Sequence, residues 1–181
     1  MWLIMEIVEH VSVRIDHIKE LFVDALNEGD SEEMKRKFGF AVRYHSDLLE
    51  LGFYINKCFS SSMLCLILLG AAILGCASFG YMQAGSSTYL IVCACWFFGL
   101  AIICISGQHL TDESLSIGDV IYDTKWYEVG LSLRKDILFV MMRCQRPMIL
   151  RAAGFGVMNY IMIVSVLRTS YSFVSLLGAT S

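Results

Sequence analysis

Ser165, Arg168, Ser172 and Ser175 recur at intervals of three, four and three. On a helix that spacing gathers three hydroxyls and one cation along a single line, with apolar residues elsewhere. Such a line suits water, a passing ion or a neighbouring helix. The bland alternative is that each hydroxyl bonds back to a carbonyl of its own helix; the residues alone leave both readings open. A second group, His109 with Asp112 and Glu113 and with Cys104 nearby, has metal-ligating side chains. Its spacing matches no strong ligand pattern, and it reads instead as the polar exit of an apolar segment. His10, His17 and His45 stand among acidic neighbours, without a nucleophile in a recognisable context. The expectation is therefore no catalytic residue, no metal ligand, no cofactor and no enzyme. His45 falls on an apolar stripe, where a partly buried histidine making one polar contact is expected.

The elements that must carry these residues follow from where positive charge is missing. All 14 lysines and arginines lie at or before Lys57 or at or after Lys125, leaving 67 residues, 58–124, without one. Residues 58–82 and 89–107 within that gap are also free of acidic side chains. As helices they measure about 37 and 28 Å, against a hydrocarbon core of about 30 Å. Both are long enough to cross a bilayer. The connector 83–88 has no Lys or Arg while both flanks are rich in them, so the positive-inside bias places the connector outside and the flanks in the cytoplasm.

With 56% hydrophobic residues and one proline in 181, the chain suits an all-α membrane bundle. The acidic and basic residues of the flanks are interleaved, giving no basic stripe for nucleic acid. Of the seven cysteines, Cys58 stands at the first residue of the first apolar segment, Cys65, Cys76, Cys93, Cys95 and Cys104 lie inside the two segments, and none is in the connector. The five inside are expected to be buried small apolar side chains. The apolar start, meeting Glu6 and Glu9 and lacking a basic leader, reads as the stub of another span rather than a signal peptide.

Before the first span, Ile4, Ile7, Val8, Val11, Ile15, Ile18, Phe22 and Leu26 keep helical spacing. A break at 27–31 follows, with Asp30 or Ser31 as helix cap. Phe38, Val42, His45, Leu48, Leu49 and Gly52 then continue the period without interruption into the span. The second span likewise has no strong breaker after Gly107. From Trp126 another stripe runs through Val129, Leu133, Ile137, Val140, Met141 and Cys144 to Pro147. Ala152 opens a third apolar segment, preceded by Pro147 and containing Gly154 and Gly156, which mark a break. The organisation expected is cytoplasmic amphipathic helices over 1–57, a transmembrane hairpin over 58–107, a cytoplasmic helical segment over 108–151, and a last span over 152–181 with an external C-terminus.

Tyr122-x3-Trp126-Tyr127, then Arg134-Lys135, Arg143-Cys-Gln-Arg-Pro147 and Arg168-Thr-Ser-Tyr171-Ser172-x3-Leu176-Leu177 stand in an order that resembles the insect odorant receptors. His45 and the Gly107-Gln108 step extend the resemblance. It implies a seven-span family with a cytoplasmic N-terminus and a split last helix, of which this chain is a C-terminal part beginning near the inner end of the fourth span. The chain would thus be a three-span bundle with long cytoplasmic helical extensions, partial or truncated relative to that family. Further implications are an odorant-gated cation channel that detects volatile small molecules, a hetero-tetramer with a shared odorant co-receptor, and a place in the plasma membrane of sensory dendrites. By the same resemblance the hydrophobic gate falls at Val174, beside Tyr171 and Ser172. Ser172 and Ser175 belong to the rival polar stripe, because Val174 points well away from Ser172 on an ideal helix. Trp126, Leu133, Ile137 and Val140 are the assembly candidates. A gustatory receptor would carry Gln-Phe after its Thr-Tyr, which Ser170-Tyr171 lacks. A small structural or adaptor membrane protein would show a sizeable external loop or cysteine pairs, and neither is readable.

Overall fold

The computed structural model describes residues 2–180, with the side chains of 173, 174 and 176–180 outside the described set. The described residues form five helices: α1 (Trp2–Leu26), α2 (Ser31–Ala84), α3 (Ser87–Tyr122), α4 (Leu131–Cys144) and α5 (Tyr160–Thr180). The only strands among the described residues, β1 (Arg151–Ala152) and β2 (Gly156–Val157), form a two-residue antiparallel ribbon. The all-α class stands.

Local chemistry explains the breaks. Asp30 accepts the Glu33 amide at 3.4 Å, so the expected cap opens α2, with Glu32 and Glu33 in the first turn. At the other end the Gly85 amide bonds the Tyr81 carbonyl at 2.9 Å, and Gly85 has φ 62. That left-handed conformation is the ordinary helix terminator, which glycine adopts without a Cβ penalty. The Ser86 hydroxyl then accepts the Thr88 amide at 3.4 Å as α3 begins. At about 1.5 Å per residue, α2 is about 81 Å long and α3 about 54 Å. Each contains a stretch apolar enough to cross a membrane, of which only 22% and 17% is buried. A soluble core helix would bury most of that surface.

The chain forms two compact units. The charged unit comprises Glu6–Ile55 and His109–Ile149. Its core follows the periodicity of α1: Val8, Val11, Ile15, Ile18, Phe22 and Leu26 are buried, joined by Phe38, His45 and Leu48 of α2 and by Ile117 and Ile121 of α3. Burying each large apolar side chain contributes about 1.5–3 kcal/mol. Phe22 sits 5.7 Å from Phe38 and 6.4 Å from the His45 ring. Lys19 of α1 bridges Glu113 of α3 and Asp16. After α4, the buried Ser114 hydroxyl accepts the Met148 amide at 2.9 Å, and Thr111 donates to the Met148 carbonyl at 3.3 Å. These bonds satisfy a backbone that Pro147 has taken out of helix.

The apolar unit comprises Met1–Met5, Asn56–Gln108 and Leu150–Ser181. Within it Ser78, Ser106, Ser165, Thr169 and Ser172 each donate a hydroxyl to the carbonyl four residues earlier. This is how a hydroxyl is satisfied where no water is at hand.

Three expectations need correcting. The stripe from Trp126 is not helical from its start: Trp126 lies in a turn between Tyr122 and Tyr127, ring centroids 6.4 and 6.3 Å away, and α4 begins at Leu131. Gly130, with ψ 148, stands at the helix boundary, where a non-helical backbone is cheap. The last helix begins at Tyr160 rather than Ala152, because Gly156 has φ 151 and the ribbon occupies 151–157. Arg168 is consequently eight residues into its helix, about 12 Å, rather than about 24 Å from an Ala152 start. Of the five cysteines expected to be buried, Cys104 is; Cys65, Cys76 and Cys95 are exposed and Cys93 is half-buried. Cys65 and Cys76 are exposed on α2, most of whose apolar stretch has no protein cover.

Candidate ligand pocket and last helix

Two close-packed spans leave a cavity where small residues oppose a large one. Gly70 and Ala71 of α2 face Trp96 and Gly99 of α3, and Leu66, Ile67, Leu74, Leu100, Ile103 and Cys95 complete a cavity of ≈ 350 Å³. A Cβ at Gly70 would meet the Trp96 ring at 3.6 Å, so the indole forms the wall and the glycine leaves the room. Every lining side chain is uncharged. A small molecule held there would be held by dispersion and desolvation, with shape deciding among candidates. The volume lies at the lower end of the usual range for small-molecule sites, about 300–1,000 Å³. In the sequence Gly70, Gly75 and Gly80 recur along α2 with Ala71, Ala72 and Ala77, and such small residues imply close backbones or open space. Trp96 and Gly99 were missed. The available sign was a tryptophan in the middle of an apolar segment rather than at its interfacial ends.

On α5, Met162 and Val166 turn inward together with Met158, while Ser165, Arg168, Ser172 and Ser175 are exposed along the expected line. The Ser165 hydroxyl bonds the Ile161 carbonyl at 2.9 Å and that of Ser172 the Arg168 carbonyl at 3.0 Å. Those two hydroxyls follow the bland reading. Tyr171 is exposed. Val174 lies outside the described side chains.

The assembly candidates separate. Leu133, Ile137 and Val140 are buried with Cys144 inside the charged unit, and Trp126 is half-buried in its turn. The stripe expected to meet a partner is filled from within the chain. The face of α4 left uncovered is Leu131, Leu138, Phe139 and Met142, which Leu131-plus-seven spacing aligns. His109 is exposed, with Nε2 3.9 Å from Glu113 Oε1, and Glu113 also pairs with Lys19. Among the described residues no three His, Cys, Asp or Glu side chains come together to hold a metal.

His45 is buried against Phe22, and burial first, then the positive charge of Arg143, hold its pKa down to about 4. Burial likewise pushes the Cys144 thiol up to about 11, which leaves it unreactive. The histidine has a consequence for stability. Unfolded, it takes a proton near pH 6.5; folded, it does so only near 4. Between those values the unfolded chain binds more protons, so stability falls as pH drops through that window and is flat above it. The thermal midpoint of the protein in detergent, followed from pH 7.5 to 4.5, is expected to decline below 6.5, and His45→Gln to flatten the decline. An unchanged slope in the variant would assign the effect to other groups.

A family model described as the 7tm odorant receptor matches residues 1–171. The chain belongs to that family. Odorant receptor 67c of Drosophila melanogaster is 26% identical over 154 residues, covering 83% of this chain and 38% of that receptor. Odorant receptor 22c of the same fly is 26% identical over 159 residues, 86% of this chain and 39% of the relative. This odorant receptor chain thus spans about four tenths of the length of the curated relatives it matches. Its fold is similar to that of the insect olfactory receptor OR5 of Machilis hrabei, a structure in complex with eugenol, at TM-score 0.83 and 15% identity. That similarity covers 96% of this chain and 46% of the other.

Proposed function

We propose that this chain forms part of a subunit of an odorant-gated cation channel in the plasma membrane of sensory neurons. The observation that carries the reading is the uncharged cavity between α2 and α3, of a size for a small volatile molecule, in an odorant receptor chain. The long apolar stretches of α2 and α3 suit the bilayer, with the inward flanks read from the charge gap, and α5 as the third span and pore helix. Val174 is the gate candidate, with Tyr171, Ser172 and Ser175 around it. Assembly with an odorant co-receptor into a hetero-tetramer is supported by the uncovered apolar face of α4.

The test is made in a full-length receptor carrying this segment, expressed with the co-receptor and screened with a panel of volatile alcohols, esters and phenols. Gly70→Phe places a ring in the cavity against Trp96, and Trp96→Ala enlarges it. Losing the contacts of a few ligand atoms costs about 1.4 kcal/mol or more, a tenfold change in affinity. The effective concentration of active volatiles is expected to rise at least about tenfold in Gly70→Phe, and the ranking of the panel to change in Trp96→Ala. Dose–response curves identical to wild type in both variants, at normal surface expression, would remove the cavity from the ligand path.

A further inference from the structure

The ribbon between α4 and α5 is fastened to α2 by two hydrogen bonds whose spacing matches on both sides. The Arg151 amide donates to Asn56 Oδ1 at 2.9 Å, and the Ala153 amide donates to Ser60 Oγ at 2.7 Å. Asn56 and Ser60 are four residues apart, one helical turn or about 6 Å along one face. Arg151 and Ala153 are two apart in extended chain, about 6.8 Å, with their N–H groups on the same edge. The opposite edge is occupied differently: the Phe155 amide bonds the Ala152 carbonyl, and the Met158 amide the Leu150 carbonyl, each at 2.9 Å. The ribbon therefore shows one edge to itself and one to α2.

Two further observations show that this seat is constrained. Ala153 has φ 44, a left-handed conformation that L side chains seldom adopt, and its amide is the one held by Ser60. Gly107 of α3 lies so close to Met158 that a Cβ there would overlap the Met158 carbonyl oxygen. Only glycine admits that approach. From the ribbon to the last helix there is almost no slack, since β2 ends at Val157, Asn159 Oδ1 caps the Met162 amide at 3.1 Å, and α5 starts at Tyr160. Along α2, Ser60 is six residues from Leu66 of the cavity, and along α3, Gly107 is four from Ile103, distances of about 9 and 6 Å.

We propose that Asn56 and Ser60 latch the ribbon to α2, with Gly107 as its seat on α3, and that this latch carries a change in the α2–α3 cavity to the first turn of α5. Asn56, Ser60 and Gly107 are positioning residues: they touch neither the ligand nor the pore but set where the pore helix begins. The proposal deepens the odorant-gated reading and rests on it.

The experiment uses the full-length receptor with its co-receptor and the same volatile panel. Asn56→Ala and Ser60→Ala each remove a bond to the ribbon, and a net hydrogen bond corresponds to about a threefold to tenfold change in an equilibrium. Odorant sensitivity is expected to fall by that factor in each and further in the double variant, at wild-type surface expression. Asn56→Asp and Ser60→Thr, which keep the accepting oxygen, are expected to restore it; a merely structural lesion would lower expression and would not follow the oxygen. Wild-type sensitivity in both alanine variants overturns the latch. Should the wild-type receptor pass no current with any volatile, the channel reading fails, and the latch is read by amide exchange instead. There, three- to tenfold faster exchange over 151–158 in the alanine variants supports it, and unchanged exchange overturns it.

Discussion

Ile137→Asp is expected to eliminate the folded charged unit, whereas Phe139→Asp, two residues on in the same helix, leaves it folded. Ile137 is 0% exposed and Phe139 69% exposed. An aspartate at the first site buries a carboxylate without a partner, in addition to emptying the volume of an isoleucine. Truncating such a side chain alone costs about 2–5 kcal/mol, and an unpaired buried charge adds several more. Whole-domain stability is about 5–15 kcal/mol, so little or nothing remains. Size-exclusion profiles of the fluorescently tagged receptor should lose their sharp peak for Ile137→Asp, and for Leu133→Asp by the same reasoning. For Phe139→Asp, and more strongly with Leu138→Asp, the receptor's own peak should persist while co-purification of the co-receptor is lost. If the outer pair leaves co-purification intact, the α4 face is not the assembly surface. A sharp peak for Ile137→Asp would contradict its place in the core.

Val174→Trp in a full-length receptor is expected to abolish odorant-evoked current at normal surface expression. If copies of α5 meet at this residue, four indoles close a passage that four valines constrict, and hydrophobic constrictions gate by excluding water. Val174→Ala should act in the opposite sense, raising resting conductance or changing ion selectivity. Ser172 tests the rival facing, since positions two apart lie about 160° around the helix from each other. Its hydroxyl already bonds the Arg168 carbonyl, so Ser172→Ala is expected to change currents little. Large effects of Ser172→Ala and Ser175→Ala, with both Val174 variants silent, would transfer the pore to the polar stripe.

Some of this protein is written in its periodicity. Ile15, Ile18 and Phe22 were legible as core because a helix repeats every 3.6 residues and the apolar repeat from Ile4 to Leu26 keeps to one face of α1. The uninterrupted course of α2 and α3 out of their apolar stretches followed from the absence of proline and turn residues. The order of motifs from Tyr122 to Leu177 was sufficient for the family, since spacing along the chain needs no folding to be read.

Helix α4 marks the limit. Leu131, Leu133, Ile137, Leu138, Phe139, Val140 and Met142 surround much of its circumference, so periodicity offers two apolar faces and no rule for choosing between them. The choice was made by neighbours distant in sequence: Cys144 lies where the absent Cβ of Gly118 lets it approach, 3.3 Å from that position. The cavity is of the same kind, since Gly70 and Trp96 define it only once α2 and α3 bring particular faces together. The ribbon at 151–157 is too short for any strand pattern, and what holds it, Asn56 and Ser60, stands about 95 residues earlier. Sequence by itself determined the course of α1, α2 and α3, the apolar stretches and the family, because helical periodicity and motif order are both read along the chain. Only the tertiary structure decided which faces are covered, where a ligand fits and what grips the start of the last helix, because these depend on contacts that chain proximity does not encode.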